Sequence, residues 1–228
     1  MHDIGLVMFD LDGTLVATAG EIQDAVNDTL LQFGLAPVSQ PQVETWIGHG
    51  TRAVLAEALA FSTGTTVAAV HASDCFETLA AEFTGHYRRR CGTHSRLYPH
   101  VRDVLGELRR RGVKLGVVTN KEGAFTDAVL ERHELHSLLD DVVSGDTGPA
   151  RKPDPAGLLA CMGHLGVASR RSLFVGDSAI DVAAARQAQV PVWAVTYGYN
   201  RGRPVACERP DRLMTDLRPL LSATENTR

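Results

Sequence analysis

The chain has 228 residues, of which 44% are hydrophobic and 22% charged, enough for one large domain or a domain carrying a smaller one. Its 21 glycines and 10 prolines are near average, which excludes collagen-like and low-complexity chains. A net charge of −4 with a pI of about 6.1 excludes a dedicated nucleic-acid binder, which would carry a basic stripe.

In chain order, short apolar runs end in polar residues: Ile4–Phe9 at Asp10, Val113–Val118 at Thr119-Asn120, Val142-Val143 at Ser144, Leu173–Val175 at Gly176-Asp177, and Val190–Val195 at Thr196. Runs of this length without alternation predict strands buried on both faces. Helical patterns over about 100–111, 122–135, 155–166 and 178–189 separate them, and this alternation predicts βαβ units on a parallel sheet. The stretch 16–88 reads differently. Its patterns, Glu21–Phe33, Gln40–Trp46, Thr51–Phe61 and Val67–Tyr87, are all helical. The predicted fold is therefore α/β, a Rossmann-like parallel core of residues 1–15 and 89–228 with an inserted all-helical cap domain at 16–88.

No apolar run reaches the roughly 18 residues of a bilayer span. Met1-His2-Asp3 lacks the basic start of a secretory signal. Cys75, Cys91, Cys161 and Cys207 are too scattered for a disulfide scaffold or zinc site. A cytoplasmic protein with no membrane or nucleic-acid partner is the expectation.

Ligands of open parallel sheets bind outside the carboxyl ends of the strands. That rule brings together Asp10, Asp12, Thr119, Asn120, Lys152, Asp177 and Asp181. Clustered carboxylates repel unless a cation sits among them, and oxygen-rich ligation suits Mg²⁺. A lysine and a hydroxyl facing that metal suit a phosphoryl group, so the constellation reads as metal-assisted phosphoryl transfer. Within Asp10-Leu11-Asp12-Gly13-Thr14, one aspartate can attack phosphorus and the other can protonate the leaving oxygen.

These motifs, in this order, resemble the haloacid-dehalogenase superfamily of aspartate-nucleophile phosphatases. Phe9–Leu15 looks like its first motif, Val117–Lys121 its second, Arg151–Pro155 its third and Val175–Asp181 its fourth. The helical insertion is placed like a C1 cap. Thr45–Gly50, Ser144–Pro155 and Val195–Asn200, with the fourth motif, are similar to phosphoglycolate phosphatases. Ala17-Thr18 departs from the Asp-Ser often found after the first motif.

The resemblance implies a small phosphorylated metabolite as substrate, 2-phosphoglycolate first, in a monomer or homodimer. It implies Asp10 as nucleophile, Asp12 as general acid then base, Thr119 and Lys152 on the phosphoryl oxygens, and Mg²⁺ on Asp10, Asp12 (through its carbonyl) and Asp177. Asp181 supports the metal or orients Lys152. Asn120 and the cap segment Gly48, His49, Gly50 and Arg52 are the candidate substrate contacts, because a glycine-flanked helix start and a forked cation suit a carboxylate. A sugar phosphomutase of the same superfamily and a phospho-accepting signalling module are the alternatives.

Overall fold

The computed structural model describes residues 4–224; Met1–Asp3, read above for a signal, lies outside them. The chain opens with β1 (Leu6–Phe9) and a short β2 (Val16–Ala17). Five helices follow: α1 (Ala19–Gln32), α2 (Gln40–Glu44), α3 (Thr51–Thr63), α4 (Val67–His71) and α5 (Phe76–Arg90). The chain returns through β3 (Arg96–Leu97) and then alternates: α6 (Val101–Arg110), β4 (Lys114–Val118), α7 (Gly123–Arg132), β5 (Asp141–Val143), α8 (Ala156–Leu165), β6 (Ser172–Gly176), α9 (Ala179–Gln187) and β7 (Val192–Val195). A last strand, β8 (Arg212–Met214), and α10 (Pro219–Ala223) close it.

Six strands form a parallel sheet in the order β5-β4-β1-β6-β7-β8. The chain builds leftward from β1 and then restarts on its right at β6, so the direction of winding reverses beside β1. Such a reversal opens a crevice at the carboxyl ends of the strands. β1 is central and fully buried, and its residues alternate between two cores. Val7 and Phe9 pack with Val104, Leu108 and Val117 on one face. Leu6 and Met8 pack with Leu158, Phe174 and Val182 on the other. The five helices of the insertion have their own core, in which Ile22, Val26, Leu55, Leu59 and Phe83 are buried.

The insertion leaves and rejoins the sheet through a ribbon. Val16 and Ala17 pair antiparallel with Leu97 and Arg96. Glu21 on α1 is fully buried and accepts the backbone N–H groups of Gly92 and Ser95 at 2.9 and 3.1 Å. α5 runs beyond residue 88 to Arg90.

Several elements depart from the sequence reading, among them β2, a strand inside the stretch read as all helical. The Val67–Tyr87 pattern breaks into α4 and α5, because Ser73 accepts the N–H of Phe76 and its side chain meets Cys75, a local turn that competes with the helix. β8 is invisible to periodicity: Arg212 and Leu213 are exposed and Met214 alone is buried, as an edge strand permits.

Candidate active site

β1 ends at Asp10, whose N–H bonds the Val175 carbonyl of β6 at 2.9 Å. The chain then coils: Leu15 and Val16 both donate to the Leu11 carbonyl, at 3.0 and 3.1 Å. Gly13 sits at φ 86°, and a Cβ there would lie 2.3 Å from the Asp177 carboxylate. Both the backbone angle and the close approach therefore require glycine. The coil presents Asp10 and Asp12 at the crevice.

Carboxylate oxygens of Asp10, Asp177 and Asp181 gather within 4.8 Å of one another, all three residues buried. Lys152 bridges two of them, its Nζ 2.8 Å from Asp10 Oδ1 and 2.8 Å from Asp181 Oδ1. Its side chain is 2% exposed. Burial pushes the Asp10 carboxyl up to about 6, against the opposing pull of Lys152. Burial, then Asp181 and Asp10, push Asp177 well above the usual carboxylate range. Burial lowers the proton affinity of Lys152, but Asp10 and Asp181 outweigh it and hold the ammonium charged.

Three buried carboxylates thus share one ammonium, which leaves negative charge uncompensated. Asp177 receives Thr14 Oγ1 at 2.9 Å and the Tyr199 N–H, with no ammonium or guanidinium among those partners. A set of hard oxygens short of positive charge fits a divalent cation such as Mg²⁺. Asp181 stands differently from the other two. Its Oδ2 accepts Asp177 N, Ser178 N and Ser178 Oγ, and its Oδ1 accepts Lys152. Wholly buried and outside the pocket lining, it suits holding Lys152 and the β6–α9 turn rather than contacting a ligand.

Asp12 turns away from the carboxylate cluster. Its Oδ1 accepts Thr18 Oγ1 at 2.7 Å, and both oxygens accept Lys121 Nζ, at 3.0 and 2.9 Å. Its side chain therefore is not part of the metal-sized cluster, and any metal contact falls to its backbone. Thr18, which replaces the serine expected after the first motif, caps no helix N–H with its hydroxyl and serves Asp12 instead. Burial lowers the proton affinity of Lys121, and Asp12 more than offsets this. Lys121 is the last residue of the second motif, but nothing in the sequence assigns it to Asp12.

A pocket above this floor is lined by Asp10, Asp12, Thr119, Asn120 and Lys121 from the core and by Ile22, Ile47, Gly48, Gly50, Thr51 and Val54 from the insertion. Gly48 and Gly50, at φ 134° and 93°, bring backbone to it as expected. Three other candidates are placed differently. Asn120 lines the wall, but its amide is consumed: Nδ2 donates to Gly48 O at 2.8 Å and Lys152 O at 2.9 Å, and Oδ1 accepts Lys152 N at 2.7 Å. It ties the cap loop to the lysine loop instead of offering its amide to substrate. His49 lines a neighbouring cleft with Ile180 and Arg201, and its carbonyl accepts Arg151.

Arg52 is the clearest correction. It pairs with Glu77 at 2.6 Å, lies over the Phe76 ring and is 44% exposed. One residue along a helix turns a side chain by about 100°, so Thr51 and Val54 face the pocket and Arg52 faces α5. Glu122, another residue without a signal in the sequence, joins cap to core by accepting Thr51 Oγ1 at 2.7 Å and Arg151 Nη2 at 3.2 Å.

A haloacid dehalogenase-like hydrolase family model matches residues 7–195. The chain belongs to that family. Phosphoglycolate phosphatase 1 of Pseudomonas aeruginosa is 40% identical over 222 residues, 96% of this chain and 79% of that one. Phosphoglycolate phosphatase of Aliivibrio fischeri is 34% identical over 227 residues, spanning 100% of this chain and 99% of the relative. Among solved structures, a predicted phosphoglycolate phosphatase from Haemophilus somnus superposes with a TM-score of 0.91 at 31% identity, covering 99% of this chain and 100% of the other. The family fold is the Rossmann-like α/β core described above, and among the described residues no helix is long and apolar enough to cross a membrane.

Proposed function

We propose that this family member is a phosphatase that hydrolyses 2-phosphoglycolate to glycolate and phosphate. The observation that carries the reading is the buried meeting of Asp10, Lys152 and Asp177 beneath a pocket closed by cap backbone. The phosphoglycolate phosphatases at 34 and 40% identity support the substrate.

In this reading an Asp10 carboxylate oxygen attacks phosphorus, the aspartyl O–P bond forms, and the bond to the glycolate oxygen breaks. Asp12 gives that leaving oxygen a proton. The resulting Asp12 carboxylate then takes a proton from the water that attacks the phosphoryl group, which frees phosphate and restores Asp10. Thr119 and the Lys152 ammonium hold the phosphoryl oxygens, and the positive charge of Lys152 stabilises them as charge develops. Asp10, Asp177 and the Asp12 carbonyl would hold Mg²⁺, which supplies further charge neutralisation to the same oxygens. Asp181 keeps Lys152 in register. The cap lines the site with Ile47, Gly48, Gly50 and Thr51.

Steady-state phosphate release from a panel of phosphomonoesters tests this. The highest kcat/KM is expected on 2-phosphoglycolate. Isomerisation of a sugar phosphate without net release would make the protein a mutase. A single stoichiometric phosphorylation without turnover would make it a signalling module.

A further inference from the structure

The structure holds two lysines whose side chains are wholly withdrawn from water, and each is aimed at one aspartate of the Asp10-Leu11-Asp12 pair. Lys152 meets Asp10. Lys121, with a side chain 0% exposed, meets Asp12 at 2.9 Å. Burying an ammonium is costly unless a carboxylate compensates it, so Lys121 needs Asp12. Asp12 in turn needs something to aim it. A carboxylate turns easily about its last torsion, which has broad wells, and Thr18 by itself holds one oxygen. Lys121 engages both oxygens and removes that freedom.

The lysine is itself held from several sides. Its N–H donates to Thr119 Oγ1 at 3.2 Å, and its carbonyl accepts the Gly145 N–H at 2.8 Å. Its ammonium lies 5.0 Å from the centre of the Tyr87 ring, on the last cap helix. Lys121 therefore shares a short loop with a candidate phosphoryl ligand, lines the same pocket and grips the residue that must reach the leaving oxygen. A lysine that merely joined cap to core would need neither a two-oxygen grip on Asp12 nor a place in the pocket wall.

We propose that Lys121 is a positioning residue that fixes the Asp12 carboxylate where it exchanges a proton with the leaving oxygen, without touching substrate itself. The proposal rests on the phosphatase reading above. Its test compares 2-phosphoglycolate, whose alkoxide leaving group needs a proton, with p-nitrophenyl phosphate, whose leaving group needs none. The quantity compared is kcat/KM, which reports the steps through phosphoryl transfer.

Lys121→Met is expected to lower kcat/KM for 2-phosphoglycolate at least tenfold more than for p-nitrophenyl phosphate. Lys121→Arg, which keeps the charge, should restore most of the wild-type ratio. Added to Asp12→Asn, the Met substitution should cost less than a further threefold on 2-phosphoglycolate, since residues acting through one another are not additive. Thermal melting accompanies each variant, and Lys121→Gln replaces the Met variant in the same cycle if the latter does not fold. Equal losses on the two substrates, or losses that multiply with those of Asp12→Asn, overturn the proposal. A wild-type protein that releases phosphate from neither substrate overturns the phosphatase reading instead. An Asp12→Asn variant with equal losses on both overturns the acid role of Asp12.

Discussion

The floor of the site and its roof are built from different materials. The floor, at the carboxyl ends of the strands, carries the charged groups: buried Asp10, Asp177 and Asp181 with Lys152, and a partly buried Asp12 with buried Lys121. The roof lines the same pocket with two glycines, three apolar side chains and Thr51, whose hydroxyl is already spoken for by Glu122. Chemistry of this kind needs charges fixed before the reaction begins, and strand ends in the buried centre of a sheet fix them well. A lid needs only to exclude water and fit the substrate, for which backbone and apolar surface suffice. The floor thus concentrates the charged groups, and the roof adds backbone and apolar surface to the same pocket.

Five measurements would test that contrast. The largest effect is expected at the nucleophile. Asp10→Asn should lower steady-state phosphate release on the order of a thousandfold or more, by analogy with other nucleophile deletions, while the melting temperature stays near wild type. Chelation with EDTA should abolish release, and Mg²⁺ should restore it; full activity in excess chelator would remove the metal from the floor.

Next in size is Lys152→Ala. Loss of one preorganised donor to the phosphoryl oxygens typically costs about a hundred- to a thousandfold in kcat. A loss under tenfold would reduce Lys152 to a counter-ion for Asp10 and Asp181.

In the roof, by contrast, the main cost should fall on stability. Phe83 is 1% exposed in the cap core and stacks on Tyr87 with centroids 5.8 Å apart. Phe83→Ala should destabilise by about 3–5 kcal/mol in urea unfolding, the range for large core deletions. Its kcat per folded molecule should change far less than in the floor variants.

The smallest effect is expected at Arg52. Its pair with Glu77 is exposed and such pairs are worth roughly 0–1 kcal/mol, so Arg52→Ala should leave KM for 2-phosphoglycolate within about twofold. A tenfold rise would show that Arg52 reaches the substrate after all and would give the roof a charged role.

Much of the floor is legible in the amino-acid sequence. Asp10, Thr119 and Asp177 each follow a short apolar run, and the topology of parallel sheets sends residues in that position to one mouth; Asp181 is legible from the fourth motif, in the first turn of the helix that follows. Lys152 is legible because its loop, Arg-Lys-Pro-Asp-Pro, matches a motif. Lys121 closes the second motif, yet nothing there pairs it with Asp12, and Glu122 lies outside every motif: a Lys-Glu pair opening a helix is the ordinary composition of a solvated turn. Arg52 fails for the opposite reason. Its neighbours Gly48 and Gly50 do approach the site, but the step from loop to helix rotates Arg52 off their face.

What the sequence by itself determined is therefore the set of groups that strand ends deliver, because strand burial and strand polarity are local, periodic properties of the chain. It determined the α/β core, the helical insertion and the acidic cluster. The tertiary structure decided the pairings: which lysine holds which aspartate, that the Asn120 amide is spent on Gly48 and Lys152, and which side of α3 faces the pocket. Those depend on how the strand-end loops meet one another and the insertion, a matter of contacts between residues as far apart as Asp12 and Lys121. Each such contact satisfies a buried charge or polar group at a distance along the chain that no local pattern encodes.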